Sequence, residues 1–127
     1  MRNKNILVFG STGFIGRSLV KRLLSDEYKV LSPVRNPAGV KRNILSGDIG
    51  QIEVFDFSLN NLSNLEVLIK KSDVVINLIG LLFEKSNMSF ELAHFLLPKK
   101  ISFYAEKYNK PFLHVSSLGS RYNTKSN

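Results

Sequence analysis

The sequence contains no cysteine and no tryptophan, only two histidines, and no apolar run long enough to cross a bilayer. Lack of cysteine excludes disulfides and thiolate chemistry. His94 and His114 stand alone, too few for a zinc site and at no spacing that pairs them with a carboxylate or nucleophile, so both are expected to pack or to lie at the surface. The opening MRNKNILVFG lacks an apolar signal segment followed by a small-residue cleavage site. A cytosolic location is therefore expected, with peripheral attachment to the cytoplasmic side of an inner membrane as its variant. Acidic residues are also scarce, ten against 18 basic ones, for a net charge of +8. That excess suits an anionic partner, but the cations form no block longer than two and no helix-turn-helix, zinc-finger or RNA-binding aromatic signature accompanies them. Solvated helix faces are expected, and nucleic acid is not the expected partner.

What is present is alternation. NILVFG (5–10) is an apolar run closed by glycine, the pattern of a buried strand. Ile15, Leu19 and Leu23, with Val20 and Leu24 beside them, oppose Arg17, Lys21 and Arg22, which predicts an amphipathic helix over 13–25. YKVLSPV (28–34) reads as a second strand stopped by Pro33 and Pro37, and QIEVFDF (51–57) as a third. Leu62, Leu65, Leu68 and Ile69 form the stripe of another helix, whose end suits Lys70 and Lys71. DVVINLIG (73–80) is apolar on both faces and predicts a central strand. A helical stretch near 89–109 is expected to become firm at Pro98, as its first residue, before a fifth strand PFLHVSS (111–117). Strands and helices in this order imply α/β architecture: a Rossmann-like, doubly wound parallel sheet of five strands, order 3-2-1-4-5, in one domain over 1–127.

The first strand runs directly into GSTGFIG. Gly10 permits a tight exit from the strand, Gly13 allows the backbone to approach a pyrophosphate, and Gly16 permits close packing of helix on sheet. Ser11, Thr12, Phe14 and Ile15 complete this candidate cofactor turn, and the positive end of the following helix would face the phosphates. At the end of the second strand, VLSPVRNP carries no carboxylate for a ribose 2′-hydroxyl but does carry Arg35, which suits a 2′-phosphate. The cofactor expected is NADP(H) rather than NAD(H), with Lys41 and Arg42 adding diffuse positive potential or lying as ordinary surface cations. No metal is expected.

GSTGFIG near the start, VINLIG on the fourth strand and HVSSLG on the fifth together resemble the extended and atypical short-chain dehydrogenase/reductase superfamily. NLIGLLFEKSNMSF and the proline in the following helical stretch are most similar to the branch holding the nucleotide-binding accessory subunit of respiratory complex I and its bacterial relatives. The resemblance implies that Asp56 binds the adenine amino group, with Phe57 beside it; by its residue type alone Asp56 is equally a cap or turn residue. It also implies that Asn77, Leu78, Ile79 and Gly80 line the path from adenosine to nicotinamide, where Asn77 could equally be a plain strand-end polar group.

Active members of that superfamily place a serine after the fifth strand and a Tyr-x-x-x-Lys pair on the next helix. The tyrosine must be brought down from a pKa of about 10 to transfer a proton near neutrality. Ser116 and Ser117 match the serine region, but Tyr28, Tyr104, Tyr108 and Tyr122 are followed four residues on by Ser32, Tyr108, Phe112 and Ser126, and Tyr122 stands three residues from Lys125. The resemblance therefore implies the N-terminal portion of a longer protein, lacking the pair and the substrate region, with its fifth strand left as an exposed edge. The leading expectation is an NADP(H)-preferring binding module without independent catalysis, whose partners are the dinucleotide and either the absent C-terminal part or a respiratory-complex subunit. The alternatives are half of an NAD(P)-dependent reductase or sugar-nucleotide epimerase/dehydratase, a non-functional remnant, and a basic nucleic-acid binder.

Overall fold

Ile6, Leu7, Val8 and Phe9 are all buried, because the strand they form lies in the middle of a sheet covered on both faces. The computed structural model describes residues 4–35, 51–58, 61–79 and 95–115. Its elements run β1 (Asn5–Phe9), α1 (Phe14–Ser25), β2 (Lys29–Val34), β3 (Ile52–Asp56), α2 (Leu65–Lys71), β4 (Val74–Asn77), α3 (Leu97–Lys107) and β5 (Phe112–His114). The five strands are parallel in the order β3-β2-β1-β4-β5, as the alternation predicts.

Period-two alternation divides β1 between two cores. Ile6 and Val8 join Val30, Ile76 and Leu78 beneath Val20 and Leu24 of α1. Leu7 and Phe9 point the other way, onto Leu65, Leu68 and Ile69 of α2 and Leu97 and Ile101 of α3. α1 thus lies on one side of the sheet, and α2 and α3 on the other. The carboxyl ends of β1 and β4 are the point where the winding of the sheet reverses, the place where ligands of such sheets generally sit. β5, three residues long, is the edge beyond β4, and its Leu113 is 55% exposed on the α1 face.

Three expectations are adjusted by local geometry. The buried line of α1 is Gly16, Val20 and Leu24, one position later than the expected stripe, and Ile15 is exposed. The glycine lets the helix start rest on backbone, so the apolar face shifts. Pro98 is the second residue of α3 rather than its first, still within the turn that needs no intrahelical N–H. Pro33 does not stop β2 but lies inside it, buried. Val30 donates to Gln51 on the β3 side, so Lys29, Leu31 and Pro33 face β1. The β1–β2 pairing ends at Leu7 with Leu31, and Pro33 stands where no ladder bond is required.

α1 and α3 both end in Schellman turns. Tyr28 N–H returns to Leu23 O (3.0 Å) and Lys110 N–H to Ala105 O (2.7 Å), around left-handed residues Glu27 (φ 70°) and Asn109 (φ 61°). α2 and α3 are further joined through Glu66, whose carboxylate accepts from the Tyr108 hydroxyl and from Lys107 Nζ at 3.1 Å. The Tyr108 bond first, and then Lys107, hold the Glu66 carboxyl below its usual range. The same contacts raise Tyr108 and Lys107. A depressed carboxyl contributes stability that is present above its unfolded value and lost as the pH falls through its folded one. Urea unfolding at pH 7 and at about pH 3 should therefore show Glu66→Gln losing less stability on acidification than the parent chain; equal losses would show that Glu66 does not contribute.

Candidate nucleotide-binding site

The glycine turn is held from three sides. Gly10 leaves β1 at φ +89°, and a methyl group added there would lie 2.8 Å from the Leu78 carbonyl carbon and 2.9 Å from Ile79 N. The Leu78 amide donates to Phe9 O at 2.8 Å, which fixes the end of β4 against that turn. Gly16 is tighter still: an added methyl would fall 2.0 Å from the Gly10 carbonyl oxygen and 2.8 Å from Ser11 Cα. These two glycines are thus required by the fold. Gly13 is different, since its φ of −77° and ψ of 176° are open to any residue.

Gly13 is the N-cap of α1, and its carbonyl receives the Arg17 amide at 2.9 Å. No side chain caps this helix start and its first turn carries no acidic residue. The first-turn amides thus have no side-chain acceptor, and the helix end carries its partial positive charge uncompensated by a first-turn carboxylate. Phe14 and Ile15, both exposed, flank this start.

Ser11 is fully buried, and its hydroxyl is hydrogen-bonded to that of Ser32 on β2. That bond engages the Ser11 hydroxyl within the protein. Thr12 is half-buried in the same turn. Arg35 is exposed at the end of β2, beside the end of β3, where Val34 pairs with Asp56. Asp56 is exposed too, and its carbonyl accepts from Asn64 Nδ2 at 3.1 Å. Phe57, by contrast, packs edge-on against Phe9 at 5.2 Å between ring centroids and donates its amide to Val34 O. Its side chain is part of the core beneath the site.

Asn77 ends β4 fully buried, with both ends of its amide engaged. Oδ1 accepts the Ile79 amide at 3.1 Å, so Nδ2 must be the donor toward His114 Nδ1, also at 3.1 Å. His114 then accepts at Nδ1 and carries its hydrogen on Nε2. The Ile79 bond closes the exit from β4, and the His114 bond joins that exit to β5. Leu78 and Ile79 are buried. Gly80, Ser116, Ser117, Lys41, Arg42, His94, Tyr122 and Lys125 lie outside the described residues. No cluster suited to a metal ion occurs among the described residues.

Sequence reasoning passed over Ser32 and left His114 without a role. Each had a signal: Ser32 is the one polar residue in the run VLSPV, and His114 ends an apolar strand in register with Asn77.

Comparison with known proteins agrees with this geometry. A model of the NAD dependent epimerase/dehydratase family matches residues 6–125. The NADH-ubiquinone oxidoreductase 40 kDa subunit, mitochondrial, of Neurospora crassa is 36% identical over 114 residues, which cover 89% of this chain and 30% of that protein. NADH dehydrogenase (ubiquinone) 1 alpha subcomplex subunit 9, mitochondrial, of Arabidopsis thaliana is 36% identical over 116 residues, covering 89% and 29%. The chain thus spans about 30% of the length of these curated relatives. Uronate dehydrogenase from Agrobacterium tumefaciens shares the fold, with a TM-score of 0.72 at 19% identity over 92% of this chain and 42% of that one.

The matches uphold the resemblance carried by GSTGFIG, VINLIG and HVSSLG. They overturn the cytosolic expectation, because both curated relatives are named as mitochondrial. That expectation rested on what the sequence lacks. No helix among the described residues is long and apolar enough to cross a membrane, and that fact does not select a compartment.

Proposed function

The chain belongs to the NAD dependent epimerase/dehydratase family, and from that premise we propose that it binds NADP(H) in preference to NAD(H) as a nucleotide-holding module of a respiratory NADH-ubiquinone oxidoreductase. The observation that carries the preference is Arg35: it stands exposed at the end of β2, on a strand with no acidic residue. A guanidinium there pairs with a 2′-phosphate, while a ribose 2′-hydroxyl finds no carboxylate.

The remaining residues divide the ligand between them. The uncapped amides at the start of α1, approached over Gly13, hold the pyrophosphate. Asp56 accepts from the adenine amino group, and the backbone of Asn77, Leu78 and Ile79 lines the way to the nicotinamide. A bound nicotinamide dinucleotide supplies hydride chemistry, but none of the four tyrosines is followed by lysine at the fourth position. The Tyr-x-x-x-Lys spacing by which active members of the superfamily bring a phenol toward neutrality is therefore absent from these residues. The module uses its nucleotide as a structural ligand, and a place in the respiratory complex and the mitochondrial setting follow the names of its relatives.

Calorimetric titration of the chain with NADPH and with NADH tests this reading. NADPH should bind more tightly. Arg35→Ala should weaken NADPH by roughly tenfold, the worth of one solvent-exposed charge-assisted contact, and leave NADH nearly unchanged. Equal affinities in the parent chain, or equal losses for both nucleotides in the variant, would remove Arg35 from the role.

A further inference from the structure

Ser32 lies where the two strands flanking the site separate. The β1–β2 ladder ends with Leu7 opposite Leu31, and Pro33 cannot donate a bond to extend it. Beyond that point the chains diverge, β1 into the glycine turn and β2 toward Arg35. Ser32 and Ser11 are both fully buried, and their hydroxyls are joined across the gap. The bond therefore ties the second residue of the turn to a strand position three residues before Arg35.

We propose that Ser32 is a positioning residue for the dinucleotide: it sets the separation between the turn that holds the pyrophosphate and the arginine that holds the 2′-phosphate. The inference rests on the binding reading above. It adds a residue to the machinery and assigns Ser11 a tethering role in place of a side-chain contact. A ligand gripped at two points gains from both only if their spacing is already correct. Buried hydroxyls that served packing alone would satisfy each other with the same bond, so the test must separate the two roles.

Ser11→Ala, Ser32→Ala and the double variant make that separation, read by thermal melting and by titration with NADPH and NADH. Each single variant strands one buried hydroxyl and should melt lower, whereas the double strands none and should melt close to the parent chain. If Ser32 positions the ligand, the double variant, though its melting temperature recovers, should still bind NADPH roughly tenfold more weakly, with the NADPH-to-NADH affinity ratio reduced. A double variant that recovers both its melt and its NADPH affinity would overturn the proposal and leave the binding reading intact. A parent chain that binds neither nucleotide would overturn both.

Discussion

Gly16→Ala is expected to abolish stable folding. The added methyl would lie 2.0 Å from the Gly10 carbonyl oxygen and within 2.9 Å of two Ser11 backbone atoms. No rotamer relieves the clash, because both partners are main chain and the methyl itself is fixed by the helix. Either α1 must lift from the sheet, uncovering Val20 and Leu24, or the exit from β1 must distort at Gly10, which already sits at φ +89° against the end of β4. Overpacking in a core commonly costs about 1–3 kcal/mol, and a backbone clash of this depth should lie at or above the top of that range. Against the total of about 5–15 kcal/mol that holds an ordinary domain, such a loss removes most of the stability of a chain at the lower end of that range. Circular dichroism in a urea titration should show no cooperative transition, or one displaced far toward low urea. A Gly16→Ala chain unfolding near the parent midpoint would mean that α1 does not sit on the strand exit.

Gly13→Ala should behave in the opposite way, although it lies three residues away in the same turn. The backbone at Gly13 suits alanine, so the fold should lose no more than about 1 kcal/mol, the difference in N-cap preference. The loss should appear in binding. In the binding proposed above, the backbone at Gly13 must approach the pyrophosphate closely, and an added methyl would hold the phosphates away. Each charge-assisted bond lost is worth about 1.5–3 kcal/mol, so affinity should fall by roughly tenfold to a hundredfold or more. Titration with NADPH, alongside a melt of the free variant, reads both quantities. Unchanged affinity would place the pyrophosphate elsewhere. A collapsed melt would make Gly13, like Gly16, a requirement of the fold.

These contrasts show where sequence reasoning reaches and where it stops. The alternation of strand and helix, the sheet order and the position of the turn follow from periods of 2 and 3.6 and from glycine spacing, which are local signals. Burial of β1 on both faces was legible in NILVFG for the same reason. The spacing of Gly10, Gly13 and Gly16 marks all three alike. Only the packing partners, Leu78 and Ile79 for Gly10 and Gly10 itself for Gly16, mark these two as glycines that the fold requires, whereas the backbone at Gly13 is open to any residue. Pro33 read as a strand stop because proline lacks a donor; that the donor would have faced a finished ladder depends on register, which links residues distant in sequence. The tie from Ser11 to Ser32 and that from Asn77 to His114 span 21 and 37 residues, and no periodicity announces them. Asp56, which residue type alone leaves open between cap and ligand contact, is exposed at the end of β3 and holds Asn64 through its carbonyl.

The function proposed above requires that the turn between β1 and α1 hold the pyrophosphate of NADP(H). The most direct test is a thermal melt of the purified chain, alone and with NADPH or NADH in excess. A ligand that binds only the folded state, at 100 times its dissociation constant, adds about 2.7 kcal/mol. A cooperative melt should therefore move upward by several degrees with NADPH and by less with NADH. A cooperative melt that neither nucleotide moves would leave the parallel sheet standing and contradict the function assigned to its turn.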